Sequence, residues 1–158
     1  MSSAVRSRVY VAVIALLVLV IAVMAYKIVV VGSTVKGEDG RTAILFSAGE
    51  RDRMLGEMRE FVAALRSVLD GLARDDMKAV ARAAHAVGTM KADDVPVSML
   101  AKLPLGFKAM AISTHRGFDA IAKDAESGGT PRHALEQLSD TLQNCVACHA
   151  SYQIKTTP

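Results

Sequence analysis

The 158-residue sequence predicts an all-α protein, an antiparallel four-helix bundle preceded by one N-terminal transmembrane helix. Three observations carry this expectation: an uncharged apolar run near the N-terminus, four later segments with apolar residues at helical spacing, and no run that alternates like a strand. Short breaks join the four segments, the longest between the second and third, as in an up-and-down bundle.

Residues 9–26, VYVAVIALLVLVIAVMAY, carry no charge, and after Lys27 the apolar run resumes as far as Val31. A helix needs roughly 20 residues to cross a bilayer. Residues 1–31 therefore read as a membrane anchor, with Lys27 extending its ammonium toward the interface. Arg6 and Arg8 ahead of the run favour a cytoplasmic N-terminus in the inner membrane, which puts everything after about residue 32 in the periplasm. A cleaved signal peptide, cut at Tyr26 behind the small residues Val23 and Ala25, is the competing reading. The apolar core is longer than the roughly 7–15 residues usual in such signals, which favours a retained anchor.

Charge divides along the same boundary. Arg6, Arg8, Lys27 and Lys36 are basic residues of the anchor and its flank, leaving 15 basic against 16 acidic residues from Gly37 onward. The exported part is thus almost neutral, and no basic patch with interleaved aromatics suggests nucleic-acid binding.

Residues 32–46 contain Gly32, Gly37 and Gly40 among polar neighbours and read as a short flexible linker. Residues 47–158 then form the domain. Ser47 with Glu50 makes a capping box, and Leu55, Met58, Val62, Leu65, Leu69 and Leu72 form one seam on the first helix. A second helix is expected from Arg74 to Met90, capped by Asp75 or Asp76, with Met77, Val80, Ala84 and Val87 in line. The third begins near Pro104 and aligns Phe107, Ala111, Thr114, Phe118, Ile121 and Ala125 until Gly128 and Gly129 stop it. Thr130 caps the fourth and Pro131 starts it; its seam is Leu135, Leu138, Leu142, Cys145, His149 and Tyr152.

That last helix carries the chemistry. Cys145, Val146, Ala147, Cys148 and His149 spell C-x-x-C-H, the attachment pattern of a c-type haem, and include both cysteines of the chain. Two thiols one turn apart can each bond a haem vinyl group while the histidine offers its imidazole to the iron. A structural zinc site would want a second Cys/His pair, and a redox dithiol would sit in a β-α-β pattern; the sequence offers neither. One covalent haem c is therefore the expected cofactor, with all three attaching groups pointing into the bundle. The scarcity of aromatics, four Phe, three Tyr and no Trp, fits a core completed by a large apolar group.

A haem motif on the last helix of an exported four-helix bundle resembles the cytochrome c-prime family and its low-spin relatives, the class II c-type cytochromes. The resemblance covers roughly residues 47–153 and is most specific in CVACHASY, where Tyr152 matches the aromatic that the family often carries three residues after the histidine. On the first helix, Arg51, Leu55 and Met58 fit the family's spacing of an arginine, the side chain facing the open side of the iron, and a methionine. Gln153 departs from the pattern, because many c-prime proteins have an arginine there, beside the proximal face of the haem.

The resemblance implies His149 as proximal iron ligand and a distal group on the first helix. Met58 is the preferred distal ligand with Met54 as the alternative, and Leu55 on the distal face would instead leave the iron open. His85, His115 and His133 are weaker candidates for a second imidazole. Arg51 and Arg53 suit contacts with haem propionates, and the Lys102, Leu103, Pro104 and Phe107 segment could close over the haem edge. The function expected is electron carriage between membrane redox complexes or periplasmic redox proteins, with no catalysis of its own. The alternative is a five-coordinate protein that binds or senses a small gas such as NO or CO. A peroxidase would need a polar acid/base on the distal side, which Leu55 and Met58 do not provide. Bundles of this kind often form homodimers through an exposed helix face.

Overall fold

A computed structural model describes residues 3–89 and 95–157. The chain is mostly helical. Helix α1 spans Ser3–Tyr26 and continues through a π-helical turn at Lys27–Val31. The span Ser7–Val31 is long and apolar enough to cross a membrane; its most apolar stretch has no buried residue, while Val30 and Val31 at its end are half-buried against the domain. Arg6, whose charge helped set the expected orientation, has its side chain outside the described residues, as does Met90 at the expected end of the second helix.

The linker expectation does not hold. Residues 34–46 form two antiparallel strands, β1 (Thr34–Lys36) and β2 (Thr42–Phe46), and β3 (Tyr152–Thr156) pairs with β2 in parallel, so the sheet order is β1-β2-β3. The register sets Thr42 opposite Tyr152 and Phe46 opposite Thr156. Ala43, Ile44 and Phe46 are wholly buried, which is why no alternation marked β2: apolar residues occupy both of its faces. Its local signals are the Asp39–Gly40 turn, where Gly40 has φ +88°, and the Gly37 N–H to Arg41 carbonyl bond of 2.7 Å.

Helix α2 (Ala48–Ala73) starts at the expected capping box: Ser47 accepts from the Glu50 amide, and the Glu50 carboxylate accepts from the Ser47 amide at 2.8 Å. Helix α3 (Met77–His85) is capped by Asp76 and stops short of the expected Met90. A short α4 (Val97–Leu100) precedes α5 (Leu105–Glu126), which Gly128 terminates with φ +87°. Helix α6 (Pro131–Ser151) has Thr130 as its cap and Pro131 in its first turn. The chain leaves α6 at Tyr152, which begins β3 and does not extend the helical seam.

Helices α2, α3, α5 and α6 share one core, with Val68, Val80, Phe118, Ile121 and Leu138 at its centre. The α5 seam is buried as expected, except that Ala111 is half-buried. The α2 seam is rotated by about one residue. Met54, Ala64, Val68 and Leu72 face inward, with Met58, Phe61 and Leu65 partly buried, while Val62 is 66 % exposed and Leu69 faces solvent. Leu135 on α6 is likewise exposed at 46 %, and Ala134 takes the inner position. In both helices two adjacent registers offered similar apolar counts, and packing against small residues selected the one that admits close approach. Gly117 on α5 shows how close: a Cβ there would overlap the Thr141 side chain of α6.

Candidate functional site

The sheet creates the site by joining the two helices that flank it. β2 leads directly into α2, and β3 follows directly from α6, so the parallel pair holds the start of α2 beside the end of α6. A second apolar cluster fills the space between: Ile44 and Phe46 from β2, Met54 from α2, Met99 from α4, Leu103, and Phe107 from α5. Met58, Cys148, Tyr152 and Ile154 complete it while remaining partly exposed.

A cleft open to solvent cuts into this cluster. Met54, Leu55 and Met58 line the α2 wall, Cys148 and His149 the α6 wall, and Phe107, Tyr152, Gln153 and Ile154 lie around it, with Arg41 and Arg51 as the basic groups. The sequence-predicted residues Arg51, Leu55, Met58, Cys148, His149 and Tyr152 are thus brought together, as is Met54, whose side chain is buried to 4 % exposure. The order of burial differs from expectation. Cys148, expected on the flank, packs into the cluster; His149, expected inside, is exposed at the rim; and Cys145 is half-buried one turn back without lining the cleft. The cause is the helix end. Three residues after His149 the chain turns extended, which carries the last turn of α6 out to the sheet.

Both cysteines are free thiols. Burial pushes the Cys145 pKa up, and burial followed by repulsion from Cys145 pushes Cys148 up. They are therefore protonated at neutral pH, the opposite of the lowered pKa that marks a redox or thiolate-ligand cysteine. Burial and then the neighbouring Cys148 also raise the Tyr152 phenol. The Tyr152 ring meets Phe107 edge-on, with centroids 5.5 Å apart, and its hydroxyl lies over Gly106, where a Cβ would approach within 2.7 Å.

Arg41 went unnoticed in the sequence. From the β1–β2 turn its Nη1 donates to the backbone carbonyls of His149 (3.2 Å) and Tyr152 (3.3 Å), reaching a helix end 108 residues later in the chain. Asp39 holds the guanidinium at 2.7 Å and accepts from Gln153 Nε2 at 2.7 Å. The Arg41 bonds keep the Asp39 carboxyl below its ordinary range. At residue 153, where the resemblance would put an arginine, a glutamine stands, and a guanidinium arrives beside it from the hairpin. No local signal distinguishes Arg41 from any turn arginine, because its partners are set by the sheet register.

Other expected residues lie elsewhere. Arg53 pairs with Glu57 and lines a second hollow that includes Phe61, Val87 and His115. His115 is bonded through Nδ1 to the Val87 carbonyl at 2.8 Å, His85 pairs with Glu126 at 3.0 Å, and His133 is exposed near Asp124 and Glu136. None of the three lines the cleft, whose single imidazole is His149. Lys102 ties the start of α5 to α2 through Glu50 (2.6 and 2.9 Å), while Leu103 and Pro104 are buried beside it. Among the described residues, no three His, Cys, Asp or Glu side chains gather to hold a bare metal ion.

The chain matches no family model, and neither the curated proteins nor the solved structures give a match.

Proposed function

We propose that the domain is a four-helix-bundle mono-haem c-type cytochrome of the c-prime type, held on the periplasmic face of the inner membrane by α1 and carrying single electrons between redox partners. The observation that carries this reading is that Cys148 and His149 of one C-x-x-C-H motif share a cleft with the thioethers of Met54 and Met58. The residues fit the group. The wall is apolar, the thiols are protonated and able to add S–H across vinyl groups, one imidazole stands at the rim, and the guanidiniums of Arg41 and Arg51 suit two propionates. Bound there, haem supplies a ferric/ferrous couple. The protein's own part is to anchor through Cys145 and Cys148, to hold His149 by its backbone through Arg41, to offer Met58 opposite, and to exclude water with Phe107, Met54 and Leu55. Met58 is preferred over Met54 as ligand because it lines the cleft without being locked in the core.

The test is the full chain matured in an export-competent host that attaches haem. The expected product is coloured, heavier than its polypeptide by one covalent iron porphyrin, low-spin when reduced, and indifferent to carbon monoxide. Rapid carbon monoxide binding to a high-spin reduced form would replace the electron carrier by the gas-binding alternative, with Leu55 shielding the open face. A colourless product of polypeptide mass would overturn both.

A further inference from the structure

The membrane-compatible span ends at Val31, and the next two residues are already fixed to the domain. Gly32 has φ +68°, and a Cβ on it would collide with the backbone of Lys102 and Leu103. The Ser33 amide donates to the Lys102 carbonyl at 2.8 Å, and the Lys108 ammonium lies 3.5 Å from the Val29 carbonyl, inside the span itself. No free tether separates bilayer from domain. If α1 crosses a membrane, the Lys102–Lys108 backbone lies at its surface.

The segment from α4 into α5 has the composition that such a position calls for. Met99, Leu103 and Phe107 point inward to the cleft cluster, while Val97 (81 % exposed), Leu100 (37 %) and Leu105 (48 %) point outward. Val97 in the short α4 and Leu105 in the first turn of α5 leave 81 % and 48 % of their surface outside the domain, and Leu100 more than a third. Around the end of the span, Lys27 in its last turns, Lys108 at the Val29 carbonyl and Lys36 five residues past Val31 supply the cationic charge that anionic headgroups attract.

We propose that Val97, Leu100 and Leu105 form a second membrane contact, inserted in the interfacial layer of the bilayer that α1 crosses, so that the domain lies against the lipid in one orientation. The occupant is lipid because the patch adjoins the point where the span ends. The inference rests on the membrane-anchor part of the proposed function, and is independent of the haem. It replaces a freely swinging domain by one whose cleft keeps a fixed attitude to the membrane, since the inward face of the same segment lines the cleft cluster.

The chain has no tryptophan, so single reporters are unambiguous. The full chain carrying Val97→Trp, Leu105→Trp or, as reference, Leu135→Trp is reconstituted in phosphatidylethanolamine/phosphatidylglycerol vesicles with and without lipid brominated near the headgroup end of its acyl chains. Leu135 is exposed on α6, which runs back alongside α5 with Thr141 against Gly117, and so lies roughly 25 Å along the helix axis from Leu105. Reading the ratio between the two vesicle types cancels quenching by a bound cofactor. The proposal expects blue-shifted emission and loss of most of the signal to bromine at 97 and 105, with 135 unaffected. Equal quenching at all three positions, or none at 97 and 105 in chain that resists alkaline extraction, overturns the second contact and leaves the anchor standing. Chain released by alkaline extraction overturns the anchor and the contact with it. A blue shift without bromine quenching marks a protein partner or second copy on this face, and overturns the lipid assignment.

Discussion

The two apolar clusters of the domain are built on opposite plans. The one around Val68, Val80, Ile121 and Leu138 is made by four helices and the turn at Val87, lined largely with alanine and valine, and closed except where the second hollow meets Phe61 and Val87. The one around Ile44, Met54, Met99 and Phe107 draws on a strand, three helices and a turn, is rich in methionine and aromatic rings, and is open where the cleft enters. Small branched residues let helices approach to backbone contact and leave no room for a ligand; flexible methionines and flat rings around a gap suit a surface that must close on something else. One cluster is covered almost wholly by the chain, and the other stays open along the cleft, where the proposed function would seat its haem.

The largest effect expected on that contrast is all-or-none. Under the proposed function, replacing both Cys145 and Cys148 by Ala removes every covalent attachment, so that the haem staining expected of the parent after denaturing electrophoresis disappears while the helical circular dichroism contributed by the closed cluster persists. Met58→Ala comes next: the reduced spectrum changes from low to high spin and carbon monoxide binds. Met54→Ala keeps the low-spin spectrum and costs about 2–5 kcal/mol of stability as a buried side chain is cut away. Exchange of those two phenotypes would move the ligand from Met58 to Met54.

Ile121→Ala probes the closed cluster in the same way. It opens a cavity costing about 3 kcal/mol in denaturant unfolding. Below the transition the cleft's spectrum is unaltered; a spectral change would mean the two clusters are not separable. Arg41→Leu acts on the open cluster from outside, deleting two bonds to the last turn of α6. The expected loss is about 1 kcal/mol, accompanied by a shift in reduction potential that Ile121→Ala does not produce.

The smallest effect is electrostatic and lies at the rim of the closed cluster. Burial works to raise the Asp119 pKa, but the hydroxyl (2.6 Å) and amide (3.0 Å) of Thr89, helped by charge on His85 and His115, hold it below the ordinary aspartate value. A carboxyl depressed on folding stabilises above its unfolded pKa, and that contribution is lost as pH falls through the folded value. Thr89→Val should therefore lower stability at neutral pH by at most about 1 kcal/mol and flatten the acid limb of the stability profile, with little change between the two proteins once Asp119 is protonated.

Where local chemistry sufficed, the sequence was legible. The Ser47/Glu50 box, the Asp76 and Thr130 caps, the stop at Gly128 and the buried α5 seam each depend on contacts within a few residues, so they could be read directly. The C-x-x-C-H motif was visible for the same reason, whereas Met54 and Met58 entered the candidate site through the family resemblance and not through any local contact. The α2 and α6 registers were not, because Val62, Leu69 and Leu135 are as apolar as the residues that displaced them, and only the neighbour across the interface discriminates.

The sequence by itself determined an apolar N-terminal span, three long amphipathic helices with the start of the shorter α3, and a motif whose residues sit one helical turn apart, since all three are properties of short stretches of chain. Tertiary structure alone decided that residues 34–46 are strands, that β3 pairs with them from the far end of the domain, and that Arg41 reaches the carbonyl of His149. A strand is stable when partners satisfy its amides and a core covers its faces; β1 serves one edge of β2 from nearby in the chain, but the other edge is satisfied by β3 from beyond α6 and the faces by helices distant in sequence.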